Sequence, residues 1–123
     1  MTAHLYTPDL TRWRELLEQL ARGEMEGVAV NPLVVGDPFF CRGQVPLVVS
    51  EWGGFGFSDY GGPSESAERA ATIREFKREL RARRFAGDVY TQATNIEDER
   101  NGLIDAETGA LLVPPRLLNS REG

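Results

Sequence analysis

The sequence has almost nothing with which to cross-link itself. Its 123 residues include one cysteine, Cys41, and one histidine, His4, so an intrachain disulfide and a zinc site built from several cysteines are both excluded. Long apolar runs are missing too. No stretch approaches the roughly 20 apolar residues of a membrane-spanning helix, and the amino terminus lacks a basic segment followed by an apolar signal core. Positive charge is in deficit, with 14 Lys and Arg against 19 Asp and Glu and a formal charge of -5. The arginine-rich runs are interleaved with glutamate, which leaves no concentrated basic footprint for a nucleic-acid backbone. The glycine-rich stretch at 53–56 is not a phosphate-binding loop, because the lysine and the Ser/Thr of that motif are missing. No internal repeat is present. These absences lead us to expect a cytoplasmic protein with no nucleic-acid or membrane partner. No cofactor is indicated, and His4, Asp9 and Glu51 are too few to propose a metal site.

What is present fits one modest core. With 41% hydrophobic and 27% charged residues, the chain suits a single domain and argues against general disorder. Residues 7–21 read as a helix capped by Thr7, with Pro8 in the first turn and Gly23 at the end. Its apolar stripe is Leu10, Trp13, Leu17, Leu20 and Ala21. Residues 28–40, broken by Asn31-Pro32 and Gly36-Asp37-Pro38, favour turns, with Phe39-Phe40 at a core edge or a cleft. Residues 45–50 form a strand whose apolar character suggests burial on both faces of a parallel sheet. A second helix begins at 64–67 and runs to Ala82, with a stripe of Ala67, Ala70, Ile73, Phe76 and Leu80. Residues 85–93 form another strand, and an acidic loop follows. Residues 103–118 hold a short exit strand and tail, with Pro114-Pro115 opposing a central strand. Strand, helix, strand in this order is the requirement of a parallel crossover.

The residues that draw attention are Glu51, which follows the apolar strand and precedes Gly53, Gly54 and Gly56, and the aromatic and amide groups around it. Glu51 has two readings, a catalytic carboxylate or a surface glutamate after a core strand. Trp52, Phe55, Phe57 and Tyr90 offer flat surfaces for sugar rings or fill the core. Gln92 and Asn95 orient hydroxyls or satisfy loop backbone groups. His4 lines the polar edge of a pocket or sits at the surface. Asp59, Glu97, Asp98 and Glu99 are acids in loops, where solvation is the ordinary state. Cys41 reads as a small buried residue.

Two blocks, Pro46-Leu47-Val48-Val49-Ser50-Glu51-Trp52-Gly53-Gly54-Phe55-Gly56 and residues 86–103 (Ala-Gly-Asp-Val-Tyr-Thr-Gln-Ala-Thr-Asn-Ile-Glu-Asp-Glu-Arg-Asn-Gly-Leu), resemble the carboxyl-terminal portion of the catalytic barrel of glycoside hydrolase family 2. The resemblance implies an α/β chain contributing part of a (β/α)8 TIM barrel, approximately strands seven and eight with their helices, over residues 1–123. It implies a retaining β-glycosidase with Glu51 as nucleophile, Trp52, Tyr90, Gln92, Asn95 and His4 as substrate-binding residues, and a β-linked carbohydrate as substrate. The segment His4-Leu5-Tyr6 is similar to the family segment after strand six. Asp88 stands where relatives carry an aromatic residue and Asn95 where an aspartate is common. The family's acid/base glutamate follows an asparagine, and no Asn-Glu pair occurs in this sequence. The chain is therefore expected to supply only the nucleophile side of a site, and to self-associate or join a complementary chain carrying the rest of a barrel. The alternative is a noncatalytic carbohydrate-binding or structural module.

Overall fold

The computed structural model describes residues 2–23, 46–56 and 60–119. The turns expected at 28–40, and Cys41, Phe57 and Asp59, lie outside the described residues. In chain order the elements are β1 (Thr2–Leu5), α1 (Leu10–Arg22), β2 (Val48–Gly53), α2 (Ser66–Ala82), β3 (Gly87–Thr91) and α3 (Pro115–Leu118). The three strands form one parallel sheet in the order β1-β2-β3. The expected α/β class and parallel pairing are therefore observed, with β1 and β3 as the sheet's edges among the described residues.

Asp9, not Thr7, caps α1. Its backbone is extended and its carboxylate accepts the Arg12 N–H at 2.6 Å, satisfying a donor that the helix cannot. Thr7 acts a step earlier, its Oγ1 accepting the Asp9 N–H at 3.2 Å, so Pro8 precedes the cap instead of lying in the first turn. Gly23 ends the helix as expected, in the left-handed conformation at φ 72°, where a side chain would be strained. On the apolar face Leu16 is buried and Ala21 exposed, a small rotation of the expected stripe.

The core lies between the sheet and the two long helices. Leu5, Val49 and Trp52 meet Trp13, Leu16, Leu17 and Leu20 of α1 and Ile73, Phe76 and Leu80 of α2. Trp13 stacks on Phe76 at 4.9 Å, and Trp52 lies 5.6 Å from Trp13 and 6.0 Å from Phe76. Both indole N–H groups are satisfied: Trp13 donates to Phe76 O at 3.2 Å and Trp52 to Asp88 Oδ1 at 2.9 Å, which removes the cost of a buried unpaired donor. Outside this core, Glu79 of α2 accepts from Arg14 of α1 at 2.9 Å and pairs with Arg83, which also reaches Glu18 at 2.8 Å.

The strands differ from the sequence reading in four respects. β1 was not expected; its four residues, one of them fully buried, are too few to reveal a period. β2 is displaced toward the carboxyl side, so Glu51 and Trp52 belong to the ladder, because burying the Trp52 ring keeps the backbone extended past Ser50. β3 stops at Thr91, where the Gln92 side chain enters a loop network. Residues 103–118 hold no strand, only the isolated bridges Thr94–Ile104 and Ile104–Leu111. They end in α3, where Pro115 occupies the first turn and its missing N–H costs least.

Parity within β2 sets the site. Val49 and Trp52 are three residues apart, and a regular pleat would send them to opposite faces. Register shifts lie between Ala3 and His4 and between Val49 and Trp52, and with them both residues are fully buried. Leu5, Trp52 and Tyr90 form one cross-strand row toward the helices, while His4 pairs with Glu51. The shift directs Glu51 away from the core without breaking the sheet.

Candidate active site

The carboxyl ends of parallel strands are where open α/β sheets gather ligand-binding groups, because side chains and loops from several strands converge there. Here Tyr6 follows β1, Glu51 lies two residues before the end of β2, and Gln92 follows β3. The Tyr6 hydroxyl donates to Glu51 Oε2 at 2.7 Å, and His4 Nδ1 lies 3.3 Å from the same oxygen. The His4 and Glu51 side chains are 52% and 42% exposed, so solvent or a small molecule reaches them. Glu51 Oε1 carries no hydrogen bond among the described residues. One oxygen is held and the other is open.

Burial pushes the Tyr6 hydroxyl up to about 12. The Thr91 side chain opposes this, while the hydrogen bond to Glu51 and the charges of Glu51 and Glu99 add to it. Tyr6 thus keeps its proton at neutral pH and remains a donor to the carboxylate. Tyr60 packs edge-on against Tyr6 at 6.3 Å. Its own hydroxyl is buried with no hydrogen-bond partner among the described residues, and burial pushes its titration up as well.

Beyond β3, Asn101 organises the loop. It is 3% exposed; its Nδ2 donates to Thr91 O at 3.0 Å, and its carbonyl accepts from Tyr90 Oη at 3.1 Å. Gln92 Nε2 donates to Asn101 Oδ1 at 3.1 Å and to Glu99 Oε2 at 3.0 Å. Asn95 Oδ1 accepts the Gly102 N–H at 2.8 Å. Arg69, 5% exposed, binds the carbonyls of Ser64 and Gly102 at 3.0 Å each, tying the loop after β2 to the loop after β3. Gly53 is required where the two strands end: at φ 111° a Cβ would lie 2.6 Å from the Tyr90 ring and 2.8 Å from Thr91 O.

Of the residues singled out from the sequence, the structure brings His4 and Glu51 together and adds Tyr6, whose hydroxyl donates to Glu51. Trp52 sits elsewhere. With 0% exposure it is a core residue, and no face of its ring is open to a sugar. Tyr90 shares the Trp52 row, at 5.3 Å from that ring, and anchors Asn101. Asn95 closes its own loop, the backbone-satisfying role left open above, and Gln92 carries Glu99. Asp88, a departure from the pattern of the resembling family, accepts a hydrogen bond from the Trp52 indole N–H and pairs with Lys77 at 3.3 Å. The residues missed are Tyr6, Thr91 and Asn101. A tyrosine immediately after a strand was the available signal for the first, but it depended on recognising β1.

Among the described residues no group of three or more His, Cys, Asp or Glu side chains is placed to hold a metal ion. No helix among them is long and apolar enough to cross a membrane. Compared with known proteins, the chain matches no family model and no curated protein.

Proposed function

We propose that the chain is the nucleophile-bearing, carboxyl-terminal part of a TIM-barrel glycosidase that cleaves β-linked sugars with retention. In this reading β2 and β3 are strands seven and eight. The observation that carries it is the state of Glu51, half-exposed and off the core face, with Oε2 held by Tyr6 at 2.7 Å and Oε1 open. A carboxylate so oriented can attack an anomeric carbon. The new bond joins an oxygen of Glu51 to C1, the C1–O bond of the glycoside breaks, and its electron pair leaves with the aglycone. Tyr6 steadies the carboxylate before attack and receives it again when water releases the sugar. His4, on the same oxygen, borders the sugar site.

The second carboxyl of a retaining pair stands about 5 to 5.5 Å from the nucleophile and protonates the departing oxygen. The resemblance assigns that residue to a strand outside the matching blocks, so it is supplied by another segment or a complementary chain. The first chemical step can nevertheless be isolated. A 2,4-dinitrophenyl 2-deoxy-2-fluoro-β-glycoside has a leaving group that departs without a proton, and fluorine slows hydrolysis of the ester. Incubation with a panel of such reagents is expected to add one fluoroglycosyl mass to the peptide containing Glu51, and Glu51→Gln to remain unlabelled. Labelling that survives this substitution, or no labelling by any reagent, sinks the proposal.

A further inference from the structure

We infer that His4 is the specificity-determining residue of this site, the Nε2 of its imidazole accepting the hydroxyl on the carbon next to the anomeric centre that Glu51 attacks. The inference rests on the reading of Glu51 as a glycosidase nucleophile and adds the group by which the site tells its sugar from a deoxy sugar. The backbone builds the pair. Thr2 and Ala3 oppose Val48 and Val49, but His4 opposes Glu51 and Leu5 opposes Trp52, so Ser50 is passed over in the β1 ladder. An unbroken register would set His4 against Ser50 instead. Leu5 is fully buried and turns inward, and alternation sends its neighbours His4 and Tyr6 to the other side, toward Glu51. Both arrive at one atom: His4 Nδ1 lies 3.3 Å from Glu51 Oε2, and the Tyr6 hydroxyl donates to it at 2.7 Å.

That contact sets the chemistry of the ring. A carboxylate oxygen accepts and never donates, so it favours the neutral imidazole whose proton lies on Nδ1, and Nε2 then keeps a lone pair. Nε2 has no partner among the described residues, and the side chain is half-exposed. An acceptor is thus left open beside the attacking carboxylate. What a sugar can offer it there is limited. The anomeric carbon has two neighbours in the ring, an oxygen that carries no proton and C2, whose hydroxyl is a donor. As the C1–O bond of the glycoside breaks, positive charge builds on C1 and the ring oxygen, the C2 hydroxyl becomes a better donor, and its hydrogen bond to Nε2 strengthens in the transition state. The proton stays on the sugar oxygen, and His4 takes no part in bond breaking.

The test compares two 2,4-dinitrophenyl β-glycosides of the same sugar on the full chain, one with its C2 hydroxyl and one with fluorine in that place. The leaving group departs without a proton in both, and fluorine donates nothing to Nε2. Dinitrophenolate release is followed with protein in excess for the parent, for His4→Phe, which keeps a ring without an acceptor, and for His4→Gln, which keeps an acceptor at similar reach. The ratio of the hydroxy rate to the fluoro rate is expected to fall about tenfold in His4→Phe, the scale of one lost hydrogen bond, and to recover most of that fall in His4→Gln. An unchanged ratio in His4→Phe, even with both rates reduced, overturns the role of His4 and leaves that of Glu51 standing, because the substitution has then acted only on the placement of the carboxylate. A ratio in His4→Gln as low as in His4→Phe overturns it too. If the parent releases no dinitrophenolate from any reagent and Glu51 takes no label, the glycosidase reading falls and the role of His4 falls with it.

Discussion

Tyr6, Tyr60 and Tyr90 are the three tyrosines of the chain, and each packs where its neutral form is favoured. Burial drives Tyr6 and Tyr90 up to about 12 and moves Tyr60 in the same direction. Folding therefore holds their protons more tightly than the unfolded chain does, with its ordinary value near 10. The linked stability is whole below about pH 10 and is lost as pH rises toward about 12. Phenolate absorbance should show no step near pH 10 for the folded chain, whereas the chain in guanidinium titrates all three together there. A normal step in the folded protein would mean that one of these hydroxyls is freely solvated.

At the scale of elements, α1 and α2 are joined by the Arg14, Glu79, Arg83 and Glu18 cluster as well as by their apolar faces. Burial penalises the Glu79 charge, but hydrogen bonds from Arg83 and Arg14 and the charges of both hold its carboxyl below the usual range. A depressed folded value contributes stability above the unfolded value, near 4.3, that is lost as pH falls through the folded one. Glu79→Gln should cost about 1 kcal/mol near neutral pH, the upper end for a single exposed pair but reasonable for a network. The gap between parent and variant in urea should narrow as pH falls from the unfolded value through the depressed folded one. A gap independent of pH would assign the loss to packing. The helices themselves are legible in the sequence, because Trp13, Leu17 and Leu20, and likewise Ile73, Phe76 and Leu80, recur at helical spacing. Parallel pairing of the two later strands is legible for a similar reason, since an apolar run, a helix and a second run permit little else. β1 is not legible. Its four residues are held by pairing with β2 and by the packing of Leu5 and Ala3 against the core, a tertiary cause that leaves no local pattern. The site divides in the same way: Glu51 stands out after its strand, but Tyr6 acquires meaning only when β1 brings it beside β2. The fate of Trp52 is likewise decided by the irregular pleat and not by its place in the chain.

On the scale of the whole molecule, the sheet has helices packed on one side and, among the described residues, ends in β1 and β3. Val89 of β3 is 54% exposed. Strand edges and exposed apolar side chains invite further pairing, and we expect the isolated chain to self-associate through the β3 side. Light scattering over a range of concentrations should give a mass above 13.7 kDa that rises with concentration, and Val89→Lys should shift it toward the monomer. A monomer at every concentration would remove self-association from the proposal and leave a complementary chain as the partner to seek.

The irregular pleat of β2 bears on how this protein can vary by descent. Because Val49 and Trp52 both face inward only through a local change of register, the outward aim of Glu51 is stored in the number of residues between them more than in their identity. Codon changes at Ser50 leave that spacing intact, whereas loss or gain of a single codon between Val49 and Trp52 would make the spacing even, remove the need for the irregular pleat and reset Glu51 in register against His4 and Tyr6. In this segment, length is inherited under a stricter rule than spelling.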